Sequence, residues 1–281
     1  MVPRVISVVV PARNAGAVLG GQLAALCAQS YQGEWEVIVA DNGSSDDTAA
    51  VARTWINRLP GLRVVPASAT RGPGAARNVG ARSAAGDLLA FCDADDRVAP
   101  EWLAACEKAL EAADVVAGAI DISTLANPPE EPGYFNAEIF EFLPTGLGAN
   151  LAARRDAFLD LGGFDEAMRV GEDVDFCWRS QLAGLRYSEA PEALVVKRVP
   201  TRTIDILCKT FLYGRSDVAL YSRYRSKGMP RHLGRAVRVP VWLFRHPHFL
   251  LRLQGRKHLA WVAGTYAGRL VGSIEHWVLY P

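Results

Sequence analysis

Short apolar runs alternate with segments of helical period over the first 120 residues of the chain. Val5 to Val10 is a largely β-branched run, and Pro11 closes it, so a first strand ends there. Leucines at 19, 23 and 26 then predict a helix over 17–29. Glu36 to Ala40 reads as a second strand, ending in Asp41-Asn42-Gly43. Ser45 is placed to cap the next helix, with Asp46 and Asp47 in its first turn, where the dipole favours acids; that helix runs on through Ala49, Val51, Ala52 and Trp55. Leu62 to Pro66 is a short third strand, and Ala75 to Ala85 is a helix of small residues suited to close packing on a sheet. Leu88 to Cys92 is a fourth strand, followed by a helix over 101–112 and a strand over 114–119. Uniformly apolar strands separated by helices predict an α/β fold, with a buried, mostly parallel sheet and helices on both faces. Ligands of such sheets bind beyond the carboxyl ends of the strands.

After Ser123 the alternation stops. Residues 127–136 (NPPEEPGYFN) read as a loop, and 147–152 lead into a helix start near Arg155-Asp156. Glu172 and Asp173 open a helix through Phe176, Cys177 and Arg179. Beyond Val196 comes a basic helical region, interrupted at Pro230, Pro240 and Pro247. With 281 residues, 50% of them hydrophobic, the chain can bury one large core or two modest ones, and disorder is excluded as its general state. Its five cysteines show no paired spacing, which argues against a zinc site or a disulfide scaffold and fits a reducing compartment. The N-terminal apolar run is too short for a signal peptide and reads as the first strand. A net charge of +1 hides an asymmetry: residues 197–281 hold 16 Lys and Arg but only 3 Asp and Glu. The body is acidic and the C-terminal region basic.

Chemistry concentrates at the strand ends. Asp93, Asp95 and Asp96 follow the fourth strand at once, in GDLLAFCDADDR. Carboxylates crowded in this way repel unless water or a cation compensates them. The segment is either a solvated turn or a site for a hard ion such as Mg²⁺ or Mn²⁺ holding a phosphate-bearing substrate. Across Asp93-Ala94-Asp95, one carboxylate can reach a ribose or water while the other reaches the ion, which would neutralise a diphosphate leaving group. Arg13-Asn14 and Asp41-Asn42 fall at two further strand ends, and that coincidence favours a site. PARNAG after the first strand has a single glycine, so a dinucleotide fold of the usual G-x-G-x-x-G kind is disfavoured. Arg71-Gly72-Pro73-Gly74 either brings backbone to a nucleotide, with Arg71 or Arg77 on a phosphate, or is an ordinary helix start with Arg77 paired to a carboxylate. Asp41 either accepts from a base N–H or ribose hydroxyl or closes an Asx turn over Gly43 and Ser44. At 172–173, a carboxylate either deprotonates an incoming hydroxyl, or Asp173 caps the helix with Glu172 in solvent.

Four stretches in order, VVVPARN at 8–14, VIVADNGSSDDT at 37–48, RGPGAARNVGARSAAGDLLAFCDADD at 71–96 and GGFDEAMRVGEDVDFCWR at 162–179, resemble family 2 glycosyltransferases over about residues 5–200. The resemblance implies an inverting, metal-dependent enzyme with a single GT-A-type domain. Residues 1–120 would be its nucleotide-sugar-binding half, 121–200 its acceptor-binding and catalytic-base half, and 201–281 a basic helical extension. It further implies that Pro11, Ala12, Arg13 and Asn14 line the nucleotide, that Asp41 reads the base, and that Asp93 and Ala94 contact the sugar nucleotide. Asp95, with Asp93 beside it, would hold Mg²⁺ or Mn²⁺; Asp173 would be the base, with Glu172 on the acceptor side. Where such enzymes often carry a histidine after the following strand, this chain has Lys197 and Arg198, a departure that an electrostatic role would fill. The implied reaction moves a sugar from a nucleoside-diphosphate sugar to a hydroxyl of a glycan or lipid-linked acceptor, in cell-envelope polysaccharide or glycolipid synthesis. A sugar-nucleotide-forming nucleotidyltransferase and a non-catalytic carbohydrate-binding or scaffold protein are the competing readings.

The last 85 residues lie outside the resemblance. Leu259 to Gly268 is an uncharged run of ten, too short to span a bilayer, and Gly264, Gly268 and Gly272 repeat at a spacing that permits close helix packing. Aromatic residues Trp242, Phe244 and Phe249 are interleaved with Arg235, Arg238, Arg245 and Arg252, a composition suited to an anionic membrane surface. Pro240 and Pro247 favour two short helices there. The expectation is a cytoplasmic protein, peripheral on the inner face of the plasma membrane. A lid over the cleft or a homodimer contact is the alternative use of this region. No zinc pattern or aromatic RNA-binding signature accompanies the basic stretch, so no nucleic-acid partner is expected.

Overall fold

A computed structural model describes residues 5–122, 140–231 and 253–280. They fall into two compact units, one of Met1–Ala137 with Leu143–Val199 and one of Glu138–Phe142 with Pro200–Pro281. In chain order the first unit contains β1 (Ile6–Ala12), α1 (Gly16–Cys27), β2 (Trp35–Asp41), α2 (Thr48–Arg53), β3 (Arg63–Pro66), α3 (Pro73–Ser83) and β4 (Leu88–Cys92). It continues with β5 (Arg97–Val98), α4 (Trp102–Ala112), β6 (Val115–Asp121), β7 (Asn150–Arg154), α5 (Arg155–Asp160), α6 (Glu172–Leu182) and β8 (Tyr187–Val196). The second unit carries α7 (Thr203–Tyr224) and α8 (Leu253–Glu275).

The eight strands form one sheet in the order β3-β2-β1-β4-β7-β6-β8-β5. β3, β2, β1 and β4 run parallel, as do β6 and β8, whereas β7 is antiparallel to both its neighbours and β5 is antiparallel to β8. Helices cover both faces. Leu19, Leu23 and Leu26 of α1 and Trp102, Leu103 and Leu110 of α4 build the core on one side. Ala81, Phe158 and Phe176 of α3, α5 and α6 build it on the other. There, Phe91, Phe158, Phe164 and Phe176 pack tilted or edge to face with ring centroids 4.9 to 5.4 Å apart, tying α5 and α6 to β4. The small residues of α3 do bring it close to the sheet: a Cβ on Gly80 would stand 2.3 Å from a Val9 methyl.

Two local expectations change. β1 continues through Pro11 to Ala12, because Pro11 lies past the last β1–β4 pair, Val9 with Phe91, so its missing N–H interrupts no ladder on that side. α2 starts at Thr48 with no side-chain cap from Ser45; Ser45 instead donates to the Asn14 side chain, and the Asp46 carboxylate accepts from Thr48 and from the Gly16 N–H. Asp46 and Asp47 thus precede the helix. The helix start expected near Arg155-Asp156 is observed as α5, and the residues before it, to which the sequence reading gave no strand, form β7, which pairs Leu89 with Ala153 and Val116 with Ala152. Alanine-rich sequence favours a helix in isolation, and burial between two strands overrides that preference. The loop expected over 127–136 lies outside the described residues.

Candidate active site

The ends of β1, β2 and β4 lie side by side. Ala12 pairs with Asp41 across β1 and β2, and β4 flanks β1 on its other side, so Asp41 and Asp93 stand about two strand spacings apart, roughly 10 Å. At the first two ends the polar residues hold one another. Asn14 has a left-handed backbone (φ 48°), its carbonyl accepts the Ser45 N–H at 2.9 Å, and its own N–H donates to the Ser44 hydroxyl. One oxygen of Asp41 accepts from the Ser44 N–H and hydroxyl at 3.0 and 2.6 Å, so the carboxylate closes the turn over Gly43 and Ser44. Arg13 and Asn14 are exposed, Pro11 and Asp41 half-buried and Ala12 buried. Asn42 is fully committed: its amide donates to the carbonyls of Ala67 and Thr70, and its carbonyl accepts from the Gly72 N–H. Through these bonds the end of β2 holds the loop that carries exposed Arg71. Gly72 has φ 145°, a conformation that a side chain would strain, and it opens α3.

At the end of β4 the three aspartates converge, with one oxygen of each of Asp93, Asp95 and Asp96 within 4.8 Å of the others. Two cations reach into them. Arg77, from α3, donates to Asp93 at 2.7 Å with one arm and to Glu172 at 2.9 Å with the other. Lys197, just past β8, lies 3.0 Å from the second Asp93 oxygen and 2.9 Å from Asp96. Asp96 is fully buried and also accepts the Arg198 N–H. Burial alone would raise the Asp93 carboxyl, but Lys197 and then Arg77 hold it well below the usual carboxylate range. Asp95 is half-buried, next to buried Ala94, and its carboxylate makes no hydrogen bond or ion pair with any described residue.

Arg77 also carries the site across to α6. Glu172 is 4% exposed, and burial together with the neighbouring Asp173 charge raises its carboxyl to about 7, against the pull of Arg77. Half-buried Asp173 is fixed by two backbone donors, Gly148 N–H at 2.8 Å and Val174 N–H at 2.9 Å. Gly148 leaves room for the guanidinium as well: a Cβ there would stand 2.8 Å from Arg77 Cζ. The structure therefore joins Asp93, Asp95, Glu172 and Asp173 in one site through Arg77, and sets Pro11–Asn14, Asp41 and Arg71 along the adjoining strand ends.

Two points that the sequence left open are decided here. Glu172 is not in solvent but buried on Arg77, and of the two uses weighed for Arg77 it is the carboxylate pairing that is formed. Lys197 is bound within the aspartate cluster, whereas the Arg198 side chain is exposed and contributes its backbone. Sequence reasoning missed Gly148 and the place of Asp96. Asp96 carried the signal of its neighbours' charge; Gly148 carried none.

A mostly parallel sheet with a carboxylate cluster at a central strand end, joined through Arg77 to an acidic pair on a later helix, defines the class of protein: an α/β fold with an acidic site at the carboxyl ends of its strands. Residues 7–160 match Glycosyl transferase family 2, and the chain belongs to that family. It is 30% identical over 297 residues to a pre-mycofactocin glycosyltransferase of Mycobacterium tuberculosis, a match that covers 96% of this chain and 55% of that protein. The chain thus spans about half the length of this relative. It is 26% identical to the glycosyltransferase AglE of Haloferax volcanii, covering 87% of this chain and 83% of that one. Among solved structures, it shares the fold of the mannosyltransferase PcManGT from Pyrobaculum calidifontis, determined in complex with GDP-Man and Mn²⁺, with a TM-score of 0.73, 19% identity and coverage of 97% and 88%. The GT-A-type fold expected from the sequence is the fold observed.

Proposed function

We propose that the chain transfers a sugar from a nucleoside-diphosphate sugar to an acceptor hydroxyl, with inversion at the anomeric carbon. One observation carries this reading: Arg77 binds the carboxylates after β4 and the acidic pair opening α6 into a single site. In the proposal, Pro11, Ala12, Arg13, Asn14 and Asp41 take the nucleoside, and Arg71 contacts the phosphates. The cluster fits a divalent ion, since it offers hard oxygen donors within 4.8 Å of each other and an uncommitted carboxylate on Asp95. Five carboxylates (Asp93, Asp95, Asp96, Glu172 and Asp173) also outnumber the two cations, Arg77 and Lys197, that reach into them. Asp95 with Asp93 would hold Mg²⁺ or Mn²⁺, which when bound neutralises the diphosphate leaving group. The mannosyltransferase solved with Mn²⁺ supports this assignment.

Asp173 receives the proton of the acceptor hydroxyl as its oxygen bonds to the anomeric carbon, and the bond to the diphosphate breaks on the opposite face. Its backbone donors fix the carboxylate while leaving each oxygen a lone pair for that proton. Glu172, buried on the guanidinium, positions Asp173 and Arg77 on the acceptor side. A screen of nucleotide sugars, with and without divalent ion, tests the proposal. Metal-dependent release of nucleoside diphosphate that Asp95→Ala and Asp173→Asn abolish is the expected result, and turnover unaffected by both variants would refute it.

The acceptor in this reading is a glycan or a lipid-linked sugar of the cell envelope, met at the cytoplasmic face of the membrane by the basic C-terminal region. No helix among the described residues is long and apolar enough to cross a membrane. Arg235, Arg238, Arg245 and Arg252, the contacts expected from sequence, lie outside the described residues, as do Pro240 and Pro247.

A further inference from the structure

The second unit is built on two helices packed through small residues. A Cβ on Gly264 would lie 2.1 Å from the Thr210 hydroxyl, and one on Gly268 would lie 2.0 Å from the Phe211 carbonyl oxygen. A Cβ on Gly214 of α7 would lie 2.1 Å from the Thr265 carbonyl oxygen. The glycine face of α8 is therefore consumed by α7 within the chain, and its remaining face is turned outward.

That outward face is apolar where a helix of this kind is ordinarily polar. Leu259, Ala263, Ala267, Leu270 and Ile274 follow one another on α8 at intervals of three or four and are all exposed, as is Trp277 just past the helix end. The exposure grows toward the C-terminal end: Leu270 is 66% exposed, Ile274 67% and Trp277 93%, with Leu279 at 64% just beyond. No charged residue falls in this row. A contiguous exposed apolar strip of this length marks an interaction surface.

Charge decides what covers it. Residues 197–281 carry 16 Lys and Arg against Asp205, Asp217 and Glu275 alone. Each of these acids already faces an arginine of its own unit: Asp205 lies 3.8 Å from Arg202, Asp217 2.8 Å from Arg269, and Glu275 2.7 Å from Arg215. A contact of this face with the same face of a second copy would bring a cationic surplus from both sides and no uncommitted acid from this stretch to meet it. An anionic bilayer offers apolar depth for the leucine, isoleucine and tryptophan side chains and negative headgroups for the cations at once.

We propose that the outward face of α8, with Trp277 and Leu279, is the surface by which this chain lies on an anionic lipid bilayer. The proposal deepens the membrane reading above by naming the surface and the lipid charge, and it does not depend on the identity of donor or metal.

Flotation of the full chain with vesicles of phosphatidylcholine, alone or mixed with phosphatidylglycerol, tests it. Binding to the mixed vesicles at low salt, reduced at high salt and at least ~10-fold weaker for Leu270→Glu/Ile274→Glu, is the expected result. Trp277→Ser, altered beyond the helix end, should weaken binding with the helical signal unchanged, which separates the surface from any fault in folding. Unaltered binding of both variants would overturn the proposal. So would equal binding to neutral vesicles, or a dimer in sedimentation that Leu270→Glu/Ile274→Glu disperses. Nucleotide-sugar turnover measured without vesicles reads the catalytic proposal separately, so either can fail alone.

Discussion

The Arg77 guanidinium lies 2.9 Å from the Glu172 carboxylate, across 95 positions of sequence, and both groups are buried. Its other arm holds Asp93 at 2.7 Å. One side chain of α3 thus sets the distance between the end of β4 and the start of α6, which are the donor side and the acceptor side of the proposed reaction.

Replacing Arg77 with Met should leave buried Glu172 without its cation and Asp93 with Lys197 alone. Breaking a buried pair from one side typically costs roughly 3–5 kcal/mol, so thermal unfolding should shift down markedly. Gly148→Ala probes the same link more gently, since the new methyl would stand 2.8 Å from Arg77 Cζ. Turnover should fall by about tenfold or more while the melting temperature changes little, because displacement of the guanidinium disturbs alignment before it disturbs the core.

Asp173→Asn and Glu172→Gln should separate base from positioning residue. The first removes the basic oxygen and should lower kcat by roughly 10²-fold or more with donor binding retained. The second keeps a hydrogen-bond acceptor for Arg77 and should cost less. A larger loss for Glu172→Gln than for Asp173→Asn, in single-turnover kinetics, would reverse the assignment.

Lys197 stands within the carboxylate cluster, and its burial is offset by Asp93 and Asp96, which raise it above the ordinary lysine value. Lys197→Met should therefore strengthen binding of Mn²⁺ in the absence of nucleotide by at least ~10-fold, as a competing charge is removed. It should also lower stability by roughly 3 kcal/mol, because Asp96 is fully buried. Electron paramagnetic resonance of free Mn²⁺ checks the first effect, and unchanged affinity would show that the ion does not share this cluster.

Much of the fold was legible because its strands are short apolar runs. Leu88–Cys92 was expected to the residue, and the carboxylates beyond it could be placed at a strand end without any structure. β7 was hidden because Leu151, Ala152 and Ala153 carry no strand-specific pattern, and only their neighbours make them a strand. The pairing of Arg77 with Glu172 was illegible for another reason: it depends on packing between α3 and α6, which no local spacing encodes. In the C-terminal region the glycine repeat foretold close helix packing, but not which helix would take it.

Away from the site, Asp114 supplies a pH signature. Hydrogen bonds from Arg186 outweigh partial burial, and with the Arg186 and Arg154 charges they hold its carboxyl down to about 2. A depressed carboxyl stabilises the fold above its unfolded value and loses that contribution as pH falls, here between about 4 and about 2. Because Arg186 is largely exposed, screening limits the effect to about 1 kcal/mol. Asp114→Asn should be less stable than the parent near neutral pH and converge with it near pH ~2. Parallel denaturation curves at all pH values would contradict this.

Inverting transfer requires attack by an acceptor hydroxyl, activated by Asp173, on the face opposite the leaving diphosphate. Proton NMR of the product formed from the first nucleotide sugar that the chain turns over reads that directly, through the coupling of the anomeric proton. An inverted anomer, formed by the parent and nearly absent with Asp173→Asn, is the predicted result; a product that retains the donor's configuration would contradict it.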